Sequence, residues 1–168
     1  MATIPVEKGT DNTILRTVSK PVTQFTAELK AFADKMTKTM HAEKGVGIAA
    51  PQCGRNIRMA IVMLNPGEKN EIIFPIVNPV IVERSEETED GEEGCLSLPG
   101  VWGKVARASH IVLRYKTIRG QEQTLVLEHF NARIIQHEID HLDGVLFVDR
   151  AFDIEEKKRV KKSKRAEI

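Results

Sequence analysis

Toward the end of the chain two histidines stand four residues apart, His137-Glu138-Ile139-Asp140-His141, inside a stretch whose apolar residues recur with a helical period. Phe130, Ile134, His137 and His141 share one face, a second row of Ile135, Ile139 and Leu142 runs beside it, and Gly144 follows where a helix ends. One helical turn separates the two imidazoles, so both reach a single ion, and the intervening Glu138 lies beside the water that the ion activates. An ion of this kind lowers the pKa of water to ~7, and the carboxylate carries its proton to the leaving group. The histidine face also bears Phe130 and Ile134 and therefore points inward, where uncommitted imidazoles and a carboxylate are costly and an ion relieves the cost. The rest of the chain must be built around this helix.

The surrounding pattern is mostly strands. Thr26 to Met40 places Leu29, Phe32, Met36 and Met40 at helical spacing, which predicts an amphipathic helix ended before Gly45. Ile57 to Leu64 and Ile72 to Val82 are branched apolar runs, the first ended by Asn65-Pro66-Gly67 and the second interrupted by Asn78-Pro79. The acidic segment Ser85 to Glu93 reads as a solvated loop. Val105 to Tyr115 and Gln123 to Leu127 flank Arg119-Gly120 as the arms of a hairpin. Consecutive strands with a helix on either side predict one α+β domain of mixed, mostly antiparallel strands packed around the central helix that carries His-Glu-x-x-His. The 168 residues fit a single catalytic domain, 1–168.

A formal net charge of +1 gives no global field to attract DNA or acidic partners, but the balance conceals an asymmetry. From Lys157 onward there are seven basic residues and one acid, which leaves 18 basic against 23 acidic residues before it. The tail, about 153–168, is expected to be a basic helix pairing Glu155 with Arg159. It reads as a solvated face or as a contact for ribosomal RNA. Met1 to Leu15 lacks the apolar run of a secretory signal or membrane span, so the expected location is cytoplasmic, without a membrane partner. In a reducing compartment Cys53 and Cys95 are expected free or metal-bound rather than bridged.

A catalytic ion needs a third protein ligand beside His137 and His141. Glu155 or Glu156 would make a site of the zinc endopeptidase kind. Cys95, in Glu93-Gly94-Cys95-Leu96-Ser97-Leu98-Pro99-Gly100, would make Cys-His-His. A further rival is a structural metal closed by a fourth ligand. A third segment, Gly45-Val46-Gly47-Ile48-Ala49-Ala50-Pro51-Gln52, allows close backbone approach and ends in an amide that both donates and accepts. It lacks the glycine spacing of a dinucleotide fingerprint and the Gly-Lys-Ser/Thr of a phosphate loop.

Taken in order, Gly45 to Gln52, Glu93 to Leu98, and Gln136 to His141 with Asp143-Gly144 resemble the three motifs of the peptide deformylase family. The resemblance runs from about Thr13 through Arg150 and includes Val105-Ala106-Arg107-Ala108. It implies a hydrolase that removes the N-formyl group from the formylmethionine of newly made polypeptides and releases formate. Carried onto this chain, it makes Cys95, His137 and His141 the metal ligands and Glu138 the general base, later acid. The side-chain amide of Gln52 and the backbone N–H of Leu96 would bind the oxyanion. The ion implied is Fe(2+), replaceable by nickel, cobalt or zinc.

Gly47 and Gly94 would let the peptide lie as an added strand near Gly45, Val46 and Gly100. An apolar methionine pocket is expected from Val46, Phe130 and Ile134.

Overall fold

The computed structural model describes residues 2–156 and 168. The basic run 157–165, including Arg159, lies outside the described residues. A short helix α1 (Thr13–Arg16) and a long one α2 (Ala27–Ala42) precede strands β1 (Gly47–Ala49), β2 (Met59–Leu64) and β3 (Ile72–Arg84). There follow β4 (Thr88–Cys95), β5 (Leu98–Ala108), β6 (His110–Lys116) and β7 (Glu122–Glu128), then helix α3 (His129–Leu142) and strand β8 (Phe152–Glu156). β1, β2, β3, β6 and β7 form one antiparallel sheet in that order, and β4, β5 and β8 form a second. This is the expected α+β arrangement, and no described helix is long and apolar enough to cross a membrane.

The five-stranded sheet is covered on both faces, and the period-two alternation of β2 shows how. Met59 and Ile61 join the cluster of Leu29, Phe32, Met36 and Met40 from α2. Ala60, Val62 and Leu64 join that of Ala132, Ile134, Ile135, Ile139 and Leu142 from α3. The cross-strand partners obey the same division, since Met59 pairs with Val77 and Ala60 with Ile76. Eleven consecutive residues of α3, Ala132 to Leu142, are buried, so the helix is enclosed rather than laid on a surface. It meets β1, β2, β5 and β7. Gly144 follows with φ 74°, the left-handed turn expected at its end.

Several boundaries depart from the sequence pattern for identifiable reasons. β3 is continuous, and its interruption is a bulge in which Asn78 takes φ 49° while its side chain accepts from Val22 N and donates to Val22 O, both at 2.8 Å. The run Val105 to Tyr115 is split between two sheets at Ser109, whose N–H donates to Glu87 O and whose carbonyl accepts from His129 N. The acidic segment is not a solvated loop. From Thr88 it is strand β4, in which Glu93 is buried against Arg107 and Arg133 and the Glu89 carbonyl accepts from Arg133, while the Glu89 carboxylate meets His129 at the surface. The helix expected from Asp153 is also corrected, because Phe152–Glu156 pairs with β5 as an exposed strand.

Candidate metal centre

Gly94 lets β4 cross close to Trp102, for a Cβ there would come 2.8 Å from the indole ring. The next residue, Cys95, is thereby delivered to α3, and its thiol Sγ lies 3.3 Å from Nε2 of His141. Cys95, His137 and His141 are all buried, and one ligand atom from each lies within 4.8 Å of the others. The structure therefore brings together the Cys-His-His set. Glu155 and Glu156 lie apart from it, exposed on β8 opposite Trp102 and Val101. The two cysteines are free.

Four buried polar atoms at this spot have no hydrogen-bond partner: Nε2 of His137, Nδ1 of His141 and both carboxylate oxygens of Glu138. A folded interior rarely leaves such atoms unsatisfied, and Nε2 of His137 with the two Glu138 oxygens points to a site that suits an ion and a water. Burial pushes the Cys95 thiol up to about 12. It also lowers the His141 imidazole well below its usual range, helped by the charges of His137 and Arg107. Burial likewise raises the Glu138 carboxyl well above the carboxylate range, with the Glu93 charge adding to it and Arg107 opposing. What the set lacks is positive charge. A divalent ion fits it, because a thiolate with two imidazoles suits iron, cobalt, nickel and zinc.

Behind His137 stands a network that spacing alone did not reveal. Nδ1 of His137 donates to Glu93 Oε2 at 2.9 Å, which leaves the Nε2 lone pair facing the site. Arg107 grips Glu93 with Nε on Oε1 at 2.9 Å and Nη2 on Oε2 at 3.0 Å, and its Nη1 donates to Asp140 Oδ2 at 2.6 Å. Asp140 in turn accepts twice from Arg150. Burial would raise the Glu93 carboxyl, yet His137 and Arg107 together hold it well below the usual carboxylate range. Glu93 and Arg107 belong to segments that stood out in sequence, but only their pairing across 14 residues explains why.

Gln52 is wholly buried, with Oε1 accepting from Ala49 N at 2.8 Å and Nε2 donating to Ser97 Oγ at 3.1 Å and to Cys95 Sγ at 3.6 Å. Leu96, next to Cys95, is buried as well. Gly45 donates to Met40 O as α2 ends. Gly47 serves Glu138 directly, because a Cβ at that position would overlap the carboxylate. Gly100 takes φ 82° in β5.

Val46 and Ile134 share one buried cluster, whereas Phe130 is 41% exposed and lines a separate hollow with Asn65, Pro66 and Val126. The Val46–Ile134 cluster also contains Ile168, 1% exposed, whose N–H donates to Gly94 O at 3.3 Å.

A family model described as polypeptide deformylase matches residues 5–158. The chain is similar to the peptide deformylase of Desulforudis audaxviator, 41% identical over 145 residues that cover 86% of this chain and 92% of that one. It is similar in structure to the peptide deformylase from Thermotoga maritima, with a TM-score of 0.83, 38% identity and coverage of 90% and 99%. A class I type b peptide deformylase from Acinetobacter baumannii, solved bound to Met-Ala-Ser, gives a TM-score of 0.82 at 40% identity, covering 89% of this chain and 100% of that one.

Proposed function

The chain belongs to the peptide deformylase family, hydrolases that remove the N-formyl group from the formylmethionine of newly made polypeptides, and we propose that it does so through Cys95, His137, His141, Glu138, Gln52 and Leu96. One observation carries this assignment of roles. The Glu138 carboxylate is wholly buried and unpartnered in a site where Cys95, His137 and His141 bring one ligand atom each within 4.8 Å of the others, a set that an ion and a water would complete.

Cys95, His137 and His141 hold the ion, which we propose is Fe(2+), with nickel, cobalt or zinc able to replace it. When bound, it supplies Lewis acidity, which makes a neighbouring water acidic near neutral pH. Glu138 takes the proton from that water and later delivers it to the amine that leaves with the peptide. Formate is the other product. The Gln52 amide, anchored through Oε1 on Ala49, and the Leu96 N–H donate to the oxygen that gains charge on the formyl carbon, where exclusion of water makes such donors most effective.

For the substrate, β1 is an edge strand with β2 as its sheet neighbour, and β4 is the edge of the other sheet. An extended peptide between them would find backbone partners along Gly45, Val46, Gly47 and Gly94, with Gly100 nearby in β5. Backbone pairing of this kind tolerates varied side chains after the methionine. In the structure Ile168 N donates to Gly94 O, so a peptide pairing at that carbonyl would take the place of Ile168. We place the methionine side chain against Val46 and Ile134, where Ile168 packs in the structure, and leave Phe130 outside it in its separate hollow.

The expected substrates are formylated nascent chains in the cytoplasm. The basic run 157–165 would add a salt-dependent ribosome contact, which truncation after Glu156 would remove. Formate release from formyl-Met-Ala-Ser by anaerobically prepared protein tests the activity, with Glu138→Ala beside it. Release by the native chain and none by the variant is expected. A variant as active as the native chain would overturn the role of Glu138, and no release by the native chain would overturn the function.

A further inference from the structure

Arg133 is 6% exposed and lies on α3 one turn before His137. A guanidinium this deep needs acceptors for its donors, and it has three. Nη1 donates to Glu93 Oε1 at 2.9 Å and to Val105 O at 2.8 Å, and Nη2 donates to Glu89 O at 2.6 Å. The group thus ties three strands of contact together: the backbone of β4, the backbone of β5, and the carboxylate on which His137 hangs. An apolar side chain could fill the same volume without the desolvation that a buried cation incurs. Arg133 instead puts a second guanidinium donor on Oε1, while Oε2 takes His137 and one arm of Arg107.

Gly91 makes that arrangement sterically allowed. It stands on β4 between Glu89 and Glu93, and a Cβ built there would sit 2.6 Å from Cζ of Arg133 and 2.7 Å from Nε and Nη2. No L side chain fits unless the guanidinium withdraws. A neutral strand residue and a helix residue 42 positions later are therefore matched, one by absence of a side chain and the other by the length of its own.

We propose that Arg133 is a positioning residue for the metal centre, acting through Glu93 to set the orientation of the His137 imidazole, and that Gly91 is the space that admits it. The proposal rests on the reading of His137 as a metal ligand. Outer hydrogen-bond partners of ligating histidines are worth about 10–100-fold in metal affinity, and the loss of Arg133 should fall in that range.

The test uses cobalt(II) as the probe, bound to the full chain, with affinity measured by chelator competition and ligand geometry by the visible absorption bands. Arg133→Met should weaken cobalt binding about tenfold or more and shift the bands, and Arg133→Lys should restore only part of both. Gly91→Ala should reproduce the shift by displacing the guanidinium, yet add nothing in an Arg133→Met background, as expected for residues acting through one contact. Cobalt affinity within about twofold of the native chain and unchanged bands in Arg133→Met would overturn the proposal, as would additive effects of the two substitutions. If Arg133→Met does not fold, Gly91→Ala alone decides, and an unaltered spectrum there overturns it. A native chain that binds cobalt but releases no formate would count against the assigned function and leave this proposal standing.

Discussion

Gly47→Ala should remove most activity while sparing the fold. Gly47 lies in extended strand β1 and is not among the glycines with positive φ, so its backbone accepts alanine. Reduced freedom of the unfolded chain then favours the variant by about 0.4–1 kcal/mol. The obstacle is Glu138. A Cβ at position 47 overlaps one carboxylate oxygen and stands 2.8 Å from Cδ and 3.1 Å from Cγ. Comfortable carbon contacts begin near ~3.5 Å, so the carboxylate must recede by about 1 Å, at little cost to stability because it is the end of a flexible side chain. A misplacement of that size at a proton-transferring group lowers the rate about 100-fold, equivalent to ~2.7 kcal/mol of transition-state stabilisation. Initial rates of formate release at saturating formyl-Met-Ala-Ser, with metal content and the thermal midpoint measured in parallel, separate the possibilities. The expected result is a kcat about 100-fold down with bound metal unchanged and the midpoint within a few degrees. A kcat within about threefold of the native value would refute the argument that this glycine exists to seat Glu138.

Glu93→Ala strands two buried guanidinium groups and should cost about 3–5 kcal/mol in urea unfolding, and a loss under about 1 kcal/mol would mean the network relaxes around the gap. Asp149, held below its usual range first by the hydrogen bond from Arg16, contributes stability above the unfolded carboxylate range and loses it as pH falls through the folded value. Asp149→Asn should therefore cost under about 1 kcal/mol at pH 7, since the pair is about one-third exposed, and nothing near pH 2. Ile168→Asp cannot stay buried beside Val46 and Ile134 and should free the Gly94 carbonyl, lowering KM for the tripeptide about threefold or more, whereas an unchanged KM would separate Ile168 from the substrate's place. The iron-loaded protein should lose activity under peroxide faster than the nickel-loaded one, because a Cys95 thiolate beside redox-active iron climbs toward sulfinic acid, and equal decay rates would contradict this.

The chemistry of the centre was legible in sequence where it rests on residue type and local spacing. His137 and His141 are one helical turn apart, whereas the third ligand stayed open between Cys95 and Glu155 or Glu156 until the family resemblance favoured Cys95. The supporting network was not legible, for a physical reason. Ser85 to Glu93 is so acidic that solvation is the natural reading, and only arginines from β5 and α3 draw Glu93 inward and tie down the Glu89 carbonyl. Phe130 shows the reverse error. It lies on the same helical face as Ile134, but the first turn of α3 extends past the sheet that buries the later turns, so periodicity alone overstates its burial. Likewise Glu155 and Glu156 carry a helix-like pattern in sequence, yet β5 offers an unpaired edge and the segment takes it.

The enclosure of α3 also bears on when the enzyme becomes active after synthesis. Eleven successive residues of that helix are buried by elements drawn from both sheets, so its amides should exchange with solvent only when the whole fold opens. A partly assembled chain would then have neither the helix nor its orienting carboxylate in place. Catalytic competence should arrive in the same cooperative step as the slowest-exchanging protection, and hydrogen exchange of residues 132–142 would serve as a clock for maturation.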